Sequence, residues 1–279
     1  MSLISRRTFV RTSLAAAAGC VGYGWGIEPH WVERVVRPLP IRGLPKALDG
    51  ATLLQISDVH VGPKVDSTFV IDAFRDAAAL KPDFVVFTGD AITYTDAKDL
   101  REARRVFETM PRGRLSTVAV LGNHDYGFGW NQPEVADRIE RILDASGALV
   151  LRNDAAELHG LRFTGIDDFW SGRLTPERVA PLLEREGPGI VLCHNPDAAD
   201  LSIFEKYDGW ILSGHTHGGQ CRPPFLPPPV LPVRNKRYTA GEFALAGGGR
   251  LYINRGLGHL WRVRFNVRPE VTQFVLRTT

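Results

Sequence analysis

Thr52-Leu53-Leu54-Gln55-Ile56-Ser57-Asp58-Val59-His60 is a short apolar run that stops at a turn bearing an aspartate and a histidine. Runs of this length, bounded by turn residues, are the signature of a buried strand. The pattern recurs twice. Phe84 to Thr88 ends at Gly89-Asp90, and Thr117 to Leu121 ends at Gly122-Asn123-His124-Asp125. Between them, Phe69 to Leu80 has helical spacing, and Ala97 to Met110 reads as a helix stopped by Pro111. Farther on, Pro133 to Ser146 predicts a helix with proline in its first turn, and Thr175 to Glu186 one capped by Thr175. Phe163 to Ile166, Ile190 to Cys193 and Trp210 to Ser213 are strand-like. The tail differs, because Arg250 to Asn254, Val263 to Val267 and Val271 to Leu276 read as strands with short turns. Strands alternating with helices imply an α/β fold with parallel sheet, and the strand-rich tail implies added antiparallel pairing.

The strand ends carry the chemistry. In chain order they present Asp58-Val59-His60, Gly89-Asp90, Gly122-Asn123-His124-Asp125, His194-Asn195 and Gly214-His215-Thr216-His217. Ligands of open α/β sheets gather beyond the carboxyl ends of the strands, so these loops are expected to converge on one crevice. Asp58 and His60 lie two residues apart, as do His215 and His217, and on extended chain each pair would point to one side. Glycines 89, 122 and 214 are expected to let the backbone turn tightly. Mixed imidazole and carboxylate donors suit Zn, Mn, Fe or Co, and argue against calcium, which prefers oxygen alone. Taken singly, each residue has a plainer reading: His60 or His194 as a hydrogen-bonded structural histidine, Asp58 as a turn or cap residue. Five of the eight histidines fall in these motifs; His30, His159 and His259 do not and are read as structural.

A chain of 279 residues with 44% hydrophobic content can bury one sizeable core or at most two small ones. The net charge of +3 is matched by Arg6, Arg7 and Arg11, which precede any acid, so the remainder is neutral. That balance argues against a broad nucleic-acid footprint, and no stable nucleic-acid partner is expected. Ser5-Arg6-Arg7-Thr8-Phe9-Val10 looks like a twin-arginine export signal, followed by an Ala/Gly-rich run from Leu14 to Ile27. That run is short of the roughly 20 residues a membrane span needs, though it could stay as an uncleaved anchor. Ala17-Ala18-Gly19-Cys20 partly resembles a lipoprotein cleavage box, with Ala17 where leucine is usual. Cys193 and Cys221 each flank a motif, and no disulfide is predicted. The loop from Arg222 to Gly241 has five prolines before Val230, then Arg234, Lys236, Arg237 and Tyr238. It is either a stiffened surface connection or a rigid flap placing cations near an anionic substrate.

The five motifs in this order resemble the calcineurin-like metallophosphoesterase superfamily. The Gly214-to-Gln220 run, the twin-arginine-like start and the Pro269-Glu270-Val271 tail resemble its YaeI/YkuE-like exported phosphodiesterase branch. The resemblance implies a four-layer α/β/β/α sandwich of mixed sheets and two divalent ions (Mn, Zn, Fe or Co). One ion would be held by Asp58, His60, Asp90 and His217, the other by Asp90, Asn123, His194 and His215, with Asp90 bridging. His124 would be a non-ligand histidine aimed at the substrate phosphate, and Asp125 the acid that orients it. Two cations about 4 Å apart would acidify a bridging water and neutralise phosphate oxygens. The implied organisation is a twin-arginine signal or membrane anchor at 1–28, a juxtamembrane linker at 29–48 and the catalytic domain at 49–279. The implied partners are the twin-arginine export machinery, a membrane surface met through the N-terminus and a phosphodiester or pyrophosphate substrate, at the periplasmic or outer face of the membrane. Asp167 and Asp168 resemble a family signature, with turn and substrate-contact readings both open, as they are for Arg255-Gly256. Purple acid phosphatases keep a tyrosine ligand three residues after the bridging aspartate and lack the first histidine. Here that position is Thr93, Tyr94 comes one place too late, and His60 is present. A pyrophosphatase of nucleotide-linked lipids and a non-catalytic scaffold are the remaining alternatives, the second disfavoured by the complete residue set.

Overall fold

The computed structural model describes residues 5–279. An N-terminal helix α1 (Arg6–Gly26) leads into strand β1 (Glu33–Ile41). Then follow β2 (Thr52–Ile56), α2 (Ser67–Ala79), β3 (Phe84–Thr88), α3 (Ala97–Phe107), β4 (Ser116–Val120), α4 (Pro133–Ala145) and β5 (Leu149–Val150). The second half comprises β6 (Asp154–Leu158), β7 (Leu161–Ile166), α5 (Pro176–Leu183), β8 (Gly189–Cys193), β9 (Trp210–Ser213), β10 (Gly241–Ala244), β11 (Arg250–Ile253) and β12 (Glu270–Thr278).

The strands form two six-stranded mixed sheets, ordered β1-β12-β2-β3-β4-β5 and β10-β11-β9-β8-β7-β6. In the first, β2 to β5 are parallel and β12 runs antiparallel to β2. In the second, β7, β8, β9 and β11 are parallel, and β6 and β10 close the edges antiparallel. Phe84 and Val86 of β3 point between the sheets, against Phe163, Ile190 and Leu212, whereas Val85 and Phe87 point to the helices, against Phe74, Phe107 and Leu143. Burial on both faces is why β2, β3 and β4 read as unbroken apolar runs rather than alternating ones. Helix α5 and the short turns at 196–204 cover the outer face of the second sheet over Ile166, Val191 and Ile211. The result is the expected α/β/β/α sandwich. Removing one ring from its middle, as in Phe84→Ala, would cost about 3–5 kcal/mol.

Local chemistry sets the helix ends. Asp96 caps α3 by accepting from Lys98 N at 2.6 Å, and Asp99 returns the bond to Asp96 N at 3.0 Å. Helix α3 stops at Phe107, before the expected Met110, because Thr109 and Met110 bond back three residues as the chain tightens toward Pro111. Thr175 occupies the N-cap position of α5 without capping it; its hydroxyl points to Arg173 O instead.

Two expectations are corrected. The linker predicted over 29–48 holds β1, which pairs with β12 along nine residues from Glu33↔Glu270 to Ile41↔Thr278. Pro38 and Pro40 suggested irregular chain, but an edge strand leaves alternate N–H positions without a partner and tolerates them. Val263 to Val267 is no strand. Asn266 takes a left-handed φ of 59°, and Arg264 turns fully inward, so only an isolated bridge, Cys221 to Phe265, remains. The predicted signal or anchor at 1–28 carries α1, and among the described residues no helix is long and apolar enough to cross a membrane. Its last turn is tied to the body: Gly24 O accepts from Arg264 N at 2.9 Å, and buried Glu28 accepts from the backbone of Asn266 and Val267.

Candidate metal centre

The loops after β2, β3 and β4 of the first sheet and after β8 and β9 of the second meet at one end of the sandwich. Asp58, His60, Asp90, Asn123, His194, His215 and His217 are all buried there. Asp58, His60 and His217 form one fully buried donor group and Asp90, His194 and His215 another, while the half-buried His124 completes a third with His60 and Asp90; donor atoms lie within 4.8 Å of one another in each. Asp90 Oδ2 lies 3.1 Å from His194 Nε2 and 3.5 Å from His60 Nε2, so it reaches both groups. His217 Nε2 is 3.3 Å from Asp58 Oδ1 and 3.0 Å from His60 Nε2; His215 Nδ1 is 3.1 Å from His194 Nε2.

These contacts test whether metal ions fit. His194 Nδ1 sits 2.8 Å from Thr88 O and His60 Nδ1 3.0 Å from Thr93 Oγ1. An Nδ1–H donated outward leaves the Nε2 lone pair aimed into the cluster, the usual arrangement of a ligating histidine. Both amide atoms of Asn123 and Nε2 of His215 are buried without any partner. Buried polar atoms are ordinarily satisfied, and a cation bound through Asn123 Oδ1 would account for that oxygen. The electrostatics agree. Burial opposes charge on His194, yet the Asp90 carboxylate beside it, with Asp58 and Asp168 behind, pushes its pKa up to about 10. Burial raises Asp58 to about 6 and lowers His215 to about 3. The cluster is short of positive charge, and this donor set fits divalent ions.

The backbone departs from the extended geometry expected of the paired ligands. Asp58, His60, Asp90, His215 and His217 all have left-handed φ, between 50° and 71°. Each such non-glycine residue costs about 1 kcal/mol or more, and such strain concentrates at functional sites. Gly89 does take a positive φ, of 91°, but Gly122 and Gly214 do not. They are needed for close approach: a Cβ at Gly122 would strike Asp90 Oδ1, and one at Gly214 would strike Ser57 Oγ and Asp58 Oδ2.

Asp125 does not orient His124. Its carboxylate accepts from four backbone N–H groups, those of Asp90, Ala91, Ile92 and Gly122, at 2.8–3.2 Å. Burial and the charge of Asp90 push its pKa up to about 8, opposed by the N–H groups of Gly122 and Ile92 and by His194. A proton on either oxygen would face one of those N–H groups, so we assign the ionised form. Asp125 therefore clamps the Asp90 loop to the Gly122 loop. His124 is half-buried beside His60, ring centroids 4.9 Å apart, and its backbone N–H donates to Asp90 Oδ1 at 2.8 Å.

The sequence model of calcineurin-like phosphoesterases matches residues 51–219, the stretch that supplies every residue of the cluster. The chain belongs to that family. It is 32% identical to phosphodiesterase YaeI of Escherichia coli (strain K12), over 98% of this chain and all of that protein. It is 31% identical to the uncharacterized metallophosphoesterase YkuE of Bacillus subtilis (strain 168), over the full length of both. It is 27% identical to UDP-2,3-diacylglucosamine pyrophosphatase LpxG of Chlamydia trachomatis, over 82% of this chain and 85% of that one.

In this calcineurin-like phosphoesterase the other flagged residues fall outside the cluster. Asp167 accepts from Tyr126 Oη at 2.5 Å and Arg152 Nε at 3.0 Å, a structural network. Asp168 binds Ser171 N, and its Oδ1 is buried without a partner. Arg255 is committed to Glu270 and Glu33. His30 packs on Phe69, His159 on Phe84, and His259 bonds Lys64 O. Thr93 supports His60 through its hydroxyl, while Tyr94 packs against the core of α2 and α3. Of the cations in the 222–241 loop, Lys236 binds Leu231 O and Val233 O, and Arg234 lies over the Phe169 ring. Cys20, Cys193 and Cys221 are unpaired.

Sequence reasoning missed Arg264, Trp130 and Trp170. Arg264 is fully buried, its guanidinium held by carbonyls of Arg255, Gly256, Gly258 and Val267 and 3.4 Å from His217 Nδ1. In sequence it reads as one more surface cation. For Trp130 the only hint was its place after Gly127 and Gly129.

Proposed function

We propose that this chain hydrolyses phosphodiester bonds in preference to monoesters, outside the cytoplasm, with two divalent ions bound. Asp58, His60, Asp90 and His217 would hold one ion; Asp90, Asn123, His194 and His215 would hold the other. The ions supply charge neutralisation for the phosphate oxygens and an acidified water. The chain's own residues do the rest. Asp90 sets the spacing of the two half-sites, because its carboxylate reaches donors of both. Asp125 fixes the Asp90 loop through backbone bonds. His124 lies beside the cluster at its half-exposed edge, where its ring can donate a hydrogen bond to the ester oxygen that departs.

The observation that carries this reading is that Asp90 lies between two buried donor groups, as a member of one and 3.5 Å from His60 Nε2 of the other, with the less buried His124 at their edge. The name of the full-length relative YaeI supports a diester substrate. The name of LpxG supports a second reading, cleavage of the pyrophosphate of a nucleotide-linked lipid. Export rests on Ser5-Arg6-Arg7-Thr8-Phe9-Val10, and contact with a membrane surface on the exposed apolar residues of α1, Phe9, Leu14 and Val21 among them. The test is a metal-reconstitution series assayed with bis-p-nitrophenyl phosphate, p-nitrophenyl phosphate and a UDP-linked lipid. The diester is expected to turn over fastest. A faster monoester would overturn the preference, and a faster UDP-lipid would favour the second reading.

A further inference from the structure

Four aromatic rings run in unbroken contact along one side of the centre. His124 meets Trp130 edge-on at 5.9 Å between centroids, Trp130 meets Trp170 at 5.3 Å with planes tilted by 31°, and Trp170 meets His215 edge-on at 4.5 Å. The chain thus joins the substrate-facing histidine to a candidate metal ligand. Both tryptophans are half-buried, so neither residue is sealed from solvent. Phe128, two residues before Trp130, is almost wholly exposed.

The backbone is bent to put them there. Trp130 has a left-handed φ of 59°, and Gly127 and Gly129 before it have φ of 69° and 65°. A bulky non-glycine residue in that region is a strained outlier, and such strain persists only where the surroundings enforce it. Gln132 Oε1 supports the turn by accepting from Phe128 N at 2.7 Å. Trp170 stands on a separate loop, tied by Asp168 to Ser171 N at 2.6 Å. Two unrelated loops therefore deliver indole rings to the same side of the site. Neither ring is needed as a ligand and neither lies between the two sheets; Trp130 also packs in part against the helix-side core, which helps hold it in place.

We propose that Trp130 and Trp170 form a subsite selecting phosphoesters whose ester substituent is a flat aromatic group. The inference rests on the phosphoesterase reading above. A phosphate seated over the cluster and beside His124 carries its substituent out past Trp130. There an aromatic ring gains dispersion and stacking contact that an alkyl or polar group cannot match. Indole faces are tolerant of ring identity, so the subsite specifies the class of substituent and leaves its edge unread.

The test uses two product-like inhibitors of the metal-reconstituted full chain, phenylphosphonate and methylphosphonate, with bis-p-nitrophenyl phosphate as reporter. The parent is expected to bind phenylphosphonate at least about tenfold more tightly, a ratio within the range of base–aromatic stacking. Trp130→Ala and Trp170→Ala are each expected to reduce that ratio below about threefold, and Trp130→Phe to retain most of it. Quenching of tryptophan fluorescence by phenylphosphonate, measured without turnover, should vanish in the double alanine variant. A parent with no preference, or a preference that survives both alanine variants, overturns the subsite. Equal weakening of both inhibitors would also overturn it, since that marks rings that only shield the site from water. Absence of all hydrolysis by the parent, with quenching retained, would instead break the phosphoesterase reading and with it the selection of phosphoesters, reducing the two rings to a binder of aromatic phosphonates.

Discussion

Asp90 and Trp130 face the same site and are held there by different means. Asp90 is gripped through its backbone: its N–H is taken by Asp125, its carboxylate by His124 N and two imidazoles, and its neighbours Ala91 and Ile92 by the same Asp125. Trp130 is gripped by packing, with its ring between His124 and Trp170 and its strained φ supported by one glutamine. The floor is buried, charged and fixed by hydrogen bonds that admit one geometry. The wall is half-open, apolar and fixed by contacts that other large side chains can partly replace. Chemistry shared by a whole family is expected to reside in the floor, and choice among substrates in the wall.

Substitutions can break or sharpen that contrast. Asp90→Ala takes a donor from both half-sites, so hydrolysis of bis-p-nitrophenyl phosphate should fall by more than about 100-fold, beyond what loss of an outer partner costs. Asp125→Ala leaves four buried N–H groups unpaired. Stability should fall by about 3 kcal/mol or more, read as a lowered denaturation midpoint with unchanged slope. Thr93→Val removes the hydroxyl beside His60 Nδ1, and metal affinity should weaken about tenfold by titration calorimetry. Tyr94→Phe is the matched control one residue on: activity within about twofold of the parent is expected, since its ring only packs on the core. A large loss at Tyr94 with none at Thr93 would show that the floor is organised differently from this description.

How far the molecule was legible follows from the same contrast. Strands β2, β3, β8 and β9 could be read because both their faces are buried, which writes an apolar run that turn residues then cut short. Strand β1 was hidden by Pro38 and Pro40, and β6 by its polar residues, Asp154 and Glu157; both are edges, where pairing asks less of the side chains. The positions of the seven donors were visible as spacing. How they converge was not, because left-handed turns at Asp58, His60, His215 and His217 replace the extended chain that spacing suggests. Asp125 was misread for a related reason: its partners are backbone N–H groups, which have no sequence signature. Arg264 shows the limit most plainly, a cation that composition assigns to the surface and the fold places at the heart of the site.

Metal counting by inductively coupled plasma mass spectrometry on manganese-reconstituted protein tests the central claim most directly, because Asp90 joining two half-sites is a statement about stoichiometry. The parent should hold two ions per chain, His217→Ala one, and Asp90→Ala fewer than one. A parent that saturates at a single ion, or an Asp90→Ala variant that keeps two, would contradict it.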